Sequence, residues 1–163
     1  MSIPVVYDCM IFLQAVARPN NPANACLNLA ETGRVGLFVS DEILFETKGV
    51  LARPKIRKKF PRITDDRVNQ LLSWVAEFAT CSSDIPEQFE LPRDPKNAKY
   101  LNLAAFVRAA YLVSRDNDLL ESKIDDSILG RTLREQYPGL QIIDPVAFLR
   151  LIDSSLTKDA PGT

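Results

Sequence analysis

Residues 3–8 read Ile-Pro-Val-Val-Tyr-Asp, and residues 111–118 read Tyr-Leu-Val-Ser-Arg-Asp-Asn-Asp. Each stretch is a short apolar run closed by an acid, the form of a strand buried on both faces that delivers a carboxylate at its C-terminal end. Working outward from these two, Val35–Val39 is a further apolar run. It leads into Ser40, a good N-cap, with Asp41 and Glu42 in the first turn of the helix behind it. Leu140–Ile143 is another, leading into Asp144-Pro145 and a terminal helix to about Ile152.

Helical patterns fill the intervals. Residues 23–33 place Cys26, Leu29, Ala30 and Gly33 on one face, with Gly33 a natural stop. The helix from Asp41 runs to about Leu51, before Arg53-Pro54 breaks it. Thr64, Asp65 and Asp66 open a helix in which Val68, Leu71, Leu72, Val75, Phe78 and Ala79 form a continuous stripe. Thr80–Ser82 reads as a short strand, followed by a proline-containing loop. Asp94-Pro95 then supplies an N-cap and first-turn proline for a helix to Ala110 that is apolar nearly all round. Strands alternating with helices predict an α/β fold of three layers, with a mostly parallel central sheet covered on both faces.

At 163 residues, 46% hydrophobic and 25% charged, the chain suits one domain, taken as residues 1–153, with 154–163 as a polar, flexible tail. A net charge of -1 gives no global attraction to polyanions. The cysteines, Cys9, Cys26 and Cys81, are odd in number, far apart and set in apolar surroundings, as reduced thiols would be. No apolar run approaches the ~20 residues of a membrane span or the core of a signal peptide, so a cytoplasmic protein without membrane contact is expected.

The chain has no histidine. That excludes Ser/His and Cys/His nucleophiles, histidine acid/base pairs and histidine-ligated zinc. Acids remain. Asp8 and Asp116 follow strands directly, and in an open parallel sheet ligands bind beyond that edge. Glu46 lies at the border of its helix's buried stripe, Asp94 at a loop-to-helix junction, and Asp118 two residues beyond Asp116. Acids gathered in this way repel one another, and a hard divalent cation, Mg²⁺ or Mn²⁺, resolves the repulsion. Each acid alone also has a plainer reading. Asp8 and Asp116 start turns, Asp94 caps a helix ahead of Pro95, Glu46 is a surface residue, and Asp118 caps the turn into Leu119-Leu120.

Residues 53–62, RPKIRKKFPR, hold six basic residues (Arg53, Lys55, Arg57, Lys58, Lys59 and Arg62) and no acid. A solvated loop is the default reading; because the stretch follows the helix of Glu46, it is also a candidate for phosphate contacts with a polyanion. Arg93, Lys96, Lys99 and Arg115 lie beside the acids and would extend that track. Trp74 falls off its helix's apolar stripe, as a partly buried residue or one in a subunit interface.

Four segments together, VVYDCMIFLQA (5–15), SDEILFETKGVLARPKIR (40–57), LPRDPKNAKYLNLA (91–104) and AAYLVSRDNDLL (109–120), resemble the PIN domain, specifically bacterial PIN-family toxins of toxin-antitoxin pairs, the VapC-like ribonucleases. The resemblance runs from Ile3 to about Ile152. It implies a parallel sheet between helices and metal-dependent cleavage of RNA, with Asp8, Glu46 and Asp116 as matching acids and Asp118 nearby. Asp94 or Asn97 would complete the set, with Asn97 and Ser114 supporting the ligands from behind. An antitoxin protein and a homodimer are implied on the same ground. Two departures stand out. Met10 replaces the asparagine usual two residues after the first acid, and Asn97-Ala98 stands where relatives often carry an acid. Both suit an alternative, a catalytically weak or silent PIN-like module that binds RNA or a protein. A phosphohydrolase with Asp8 as nucleophile would want a second acid where Met10 stands.

Overall fold

The computed structural model describes residues 2–92 and 94–158. Five strands, β1 (Ile3–Tyr7), β2 (Val35–Ser40), β3 (Thr80–Ser82), β4 (Tyr111–Val113) and β5 (Gln141–Ile143), form one parallel sheet in the order β3-β2-β1-β4-β5. The expected three-layer α/β/α arrangement is present, and every pairing is parallel. Nine helices accompany the sheet among the described residues: α1 (Cys9–Ala17), α2 (Pro22–Glu31), α3 (Asp41–Leu51), α4 (Pro54–Lys59), α5 (Asp65–Phe78), α6 (Ala98–Phe106), α7 (Asn117–Ser122), α8 (Ile128–Gln136) and α9 (Pro145–Lys158).

The alternation of β1 divides the core. Val5 and Tyr7 point to a cluster with residues of α1, α2, α5 and α9, whereas Val6 points to one with α6, Leu119 and Leu133. β4 does the same with Val113 and Leu112. The strands are therefore covered on both faces, which is why they read as unbroken apolar runs. Strand order reverses between β1 and β4, whose register pairs Tyr7 with Val113 and so sets Asp8 beside Ser114 at the C-terminal edge.

Several local expectations change. Residues 54–59 are helical, not a loop: Pro54 presets the first turn, Arg53 ahead of it is extended, and Arg57, Lys58 and Lys59 fall in the last turn where cations suit the helix dipole. α6 ends at Phe106, before the expected Ala110. Arg108 takes φ +53, with Ala109 N–H donating to Ala104 C=O (2.9 Å) and Arg108 N–H to Ala105 C=O (3.2 Å). That is the closure made by Gly33 (φ +81) at the end of α2, built here on an arginine. α9 extends to Lys158, into the segment expected to be a tail; residues 159–163 lie outside the described residues. Cys81 is exposed, not in apolar surroundings, and its thiol donates to Asp41 Oδ1 (3.3 Å). Trp74 is partly buried, as one of its two readings expects, donates to Glu31 and packs edge-on against Phe78 at 5.1 Å. No helix among the described residues is long and apolar enough to cross a membrane.

Candidate metal centre

Asp8 ends β1 and caps α1. Its Oδ1 accepts from the N–H groups of Met10 (3.0 Å) and Ile11 (3.3 Å), and its Oδ2 accepts from the Ser114 hydroxyl. It is only 2% exposed, and burial pushes its pKa up to about 6 against the lowering effect of Ser114 and the two amides; the negative charge of Asp116 adds to the rise. Ser114 is fully buried and joins two acids: besides donating to Asp8, it accepts the N–H of Asp116 at 2.9 Å. Asp116 in turn caps α7, its Oδ1 accepting from the N–H of Asp118 (2.8 Å) and Leu119 (3.4 Å). Capping the next helix is thus how each strand turns its terminal acid inward, because the cap geometry fixes the carboxylate over the helix N-terminus.

Asp94 reaches the same place from a third segment. A carboxylate oxygen from each of Asp94, Asp116 and Asp118 lies within 4.8 Å of the other two, all three residues being partly buried. Asp94 does not cap the helix that follows it, contrary to expectation. Its side chain makes no cap bond and instead accepts from the Asn97 amide at 3.1 Å, which holds it toward the cluster. In an octahedral Mg²⁺ site, with bonds of 2.0–2.1 Å, ligand oxygens stand about 3 to 4 Å apart. Three oxygen donors at this spacing, with no nitrogen or sulfur among them, fit a small hard dication after minor adjustment. Among the described residues this is the only such group of acids or cysteines.

Glu46 lies on α3. Its Oε1 accepts from the Tyr100 hydroxyl at 2.5 Å, its Oε2 is paired with the Lys99 ammonium, and Tyr100 also accepts the N–H of Cys9 at 3.1 Å. One phenol thus links Glu46 to the first residue of α1. Burial works to raise the Glu46 pKa, but Lys99 and Tyr100 outweigh it and hold the group below the usual carboxylate range. Burial pushes the Cys9 thiol up to about 12, with the negative charges of Glu46 and Asp8 adding to the rise, so it stays neutral.

Of the five acids singled out in the sequence, then, Asp94, Asp116 and Asp118 share ligand spacing. Asp8 is one serine removed from Asp116, and Glu46 does not share that spacing and is paired with Lys99. Lys99, expected on a phosphate track, is committed to Glu46. Tyr100 was not singled out; its signal was a phenol and an ammonium side by side at the start of an otherwise apolar helix. In the basic stretch, Arg57 donates to Leu51 C=O (2.9 Å) and pairs with Asp65 (2.7 Å), a structural engagement. Arg53, Lys55, Lys58 and Arg62 are exposed, and Lys59 also lies against the ring of Phe60. Arg93 lies outside the described residues.

The chain is similar to an uncharacterized protein, MJ1680, of Methanocaldococcus jannaschii, with 26% identity over 131 residues covering 79% of this chain and 81% of that protein. A PIN domain model matches residues 4–118, a span that holds all of β1 but Ile3, the parallel strands β2, β3 and β4, and all five acids. The chain belongs to the PIN domain family.

Proposed function

We propose that the protein is a metal-dependent endoribonuclease, with Mg²⁺ or Mn²⁺ held by Asp94, Asp116 and Asp118, and that it serves as the toxin of a toxin-antitoxin pair. The observation that supports this reading is the meeting of three carboxylates from two separated segments, Asp94 on one and Asp116 and Asp118 on the other, at the strand-order reversal of a PIN domain, a family whose members are generally nucleases using divalent metals. A cation bound there supplies charge neutralisation at a phosphoryl oxygen and acidifies a water molecule.

The chain's own groups do the rest. Ser114 fixes the distance between the Asp8 and Asp116 elements, and Asn97 orients Asp94. Asp8, with a pKa near 6, sits at the N-terminus of α1, where the helix dipole favours negative charge. Glu46, Tyr100 and Cys9 bind α3 and α6 to that same end of α1. Lys55, Lys58, Lys59, Arg53 and Arg62 would hold RNA phosphates along the chain leaving α3. An antitoxin protein, a homodimeric state and a cytoplasmic location belong to this proposal.

The test is cleavage of single-stranded and structured RNA by the purified protein with Mn²⁺, with and without EDTA, beside Asp8→Asn and Asp116→Asn. Cleavage that EDTA and either substitution abolish is expected. Activity that survives both treatments removes the mechanism. RNA binding without cleavage would instead favour a silent module, a reading to which Asn97 lends support because it places an amide, not a further acid, against Asp94.

A further inference from the structure

We infer that Lys99 is a resident cation of the acidic site, which neutralises Glu46 and leaves one divalent ion, not two, to be held by the three aspartates. This rests on the metal-dependent reading above and specifies how many ions that site takes and which acid is not a ligand.

Both Glu46 oxygens are engaged, one by the Lys99 ammonium and one by the Tyr100 hydroxyl at 2.5 Å. Neither partner is a loosely held surface group. The Lys99 side chain is 10% exposed and that of Glu46 21%, so solvent screens the pair weakly. Lys99 is held a second time by the carbonyl of Lys96, in the tight turn that precedes α6, and its ammonium lies 5.3 Å from the Tyr100 ring centroid. Lys99 and Tyr100 are consecutive, and the buried helix carrying them is fixed against the sheet, so the two donors converge on Glu46 from a rigid base.

To bind a dication through Glu46 would require moving this ammonium out of a mostly enclosed position or placing two cations side by side, and either weakens the second ion. The aspartate group carries no such obstacle from Lys99, whose bonds go to Glu46 and Lys96. Lys99 is on this view a charge-positioning residue, and its removal should expose Glu46 to metal.

The experiment is Mn²⁺ titration of the full chain, followed by electron paramagnetic resonance and calorimetry, for wild type, Lys99→Met, Lys99→Arg, Glu46→Gln and the Lys99→Met/Glu46→Gln pair. Thermal melting monitors folding. Wild type should bind one Mn²⁺ per chain. Glu46→Gln should leave that affinity within about three-fold, whereas losing a true carboxylate ligand costs roughly ten-fold or more. Lys99→Met should add a second equivalent or raise affinity by about ten-fold, a gain the double variant loses and Lys99→Arg never shows. Two Mn²⁺ in wild type, a ten-fold loss in Glu46→Gln, or no change in a folded Lys99→Met overturns the inference while leaving the metal centre standing. No Mn²⁺ bound by any variant overturns both. Should Lys99→Met fail to fold, wild type and Glu46→Gln decide the matter.

Discussion

Asp8 gives the molecule a pH dependence that can be isolated. The chain has no histidine, and burial pushes Cys9 and Cys26 up to about 12, so the interval between pH 5 and 8 is left largely to Asp8 at about 6. The folded value lies above the unfolded one, so the folded state binds the proton more tightly. The associated stability is fully present below pH ~4 and is lost as pH rises through about 6. Metal-free protein in EDTA should therefore be less stable at pH 7.5 than at pH 5, by roughly 1 to 1.5 kcal/mol, in urea or thermal unfolding. Asp8→Asn keeps an oxygen for the α1 cap and should flatten the profile. A wild-type profile that is already flat, or that rises toward pH 7.5, would show that the buried carboxyl does not titrate in this way. The position of Asp8 at the end of an apolar run was readable in the sequence, but its burial was not, because burial depends on Ser114, 106 residues away, arriving on the neighbouring strand.

At the scale of elements, what was legible depended on whether the signal was local. Ser40 and Thr64 cap α3 and α5 as their sequences indicate, accepting from Ile43 N–H (3.1 Å) and Arg67 N–H (3.3 Å). Gly33 ends α2 in the left-handed conformation expected of glycine. The end of α6 was missed because Arg108, a residue with a side chain, takes that same conformation. Arg108→Gly should relieve it and stabilise the fold by about 0.5 to 1 kcal/mol, read as a raised urea midpoint with an unchanged slope. A lowered midpoint would mean that contacts of the arginine side chain outweigh the backbone cost. The helix at 54–59 was missed because the six cationic side chains of 53–62 read as solvated loop, while the decisive signal was Pro54. If this helix holds RNA, replacing Lys55, Lys58 and Lys59 by glutamine should weaken binding and lower the salt slope by about 0.7 for each phosphate that is no longer neutralised. Arg57→Gln should act mainly on stability, since Arg57 is bound to Leu51 and Asp65. An unchanged salt slope in the triple variant would place the nucleic acid elsewhere.

Across the whole molecule, periodicity gave the layers, since strands covered on both faces must be apolar throughout and the helices between them must carry a stripe. The strand order, and with it the neighbouring positions of Asp8 and Asp116, followed from the sheet and not from any single segment. The composition of the acidic group was harder to read. Asp94 looked like a helix cap and is instead turned by Asn97 toward Asp116 and Asp118, while Glu46, aligned with the family's second acid, has a lysine partner supplied by α6. Those pairings are made by side chains that the fold brings together, and no spacing rule encodes them. The direct measurement is a crystal of the protein soaked in Mn²⁺, with data collected at the manganese absorption edge. An anomalous peak bonded to oxygens of Asp94, Asp116 and Asp118 is expected, and it should vanish in Asp116→Asn. A soaked crystal with no peak among these three side chains, or with manganese bound only elsewhere, would contradict the assignment of this sheet edge as a metal centre.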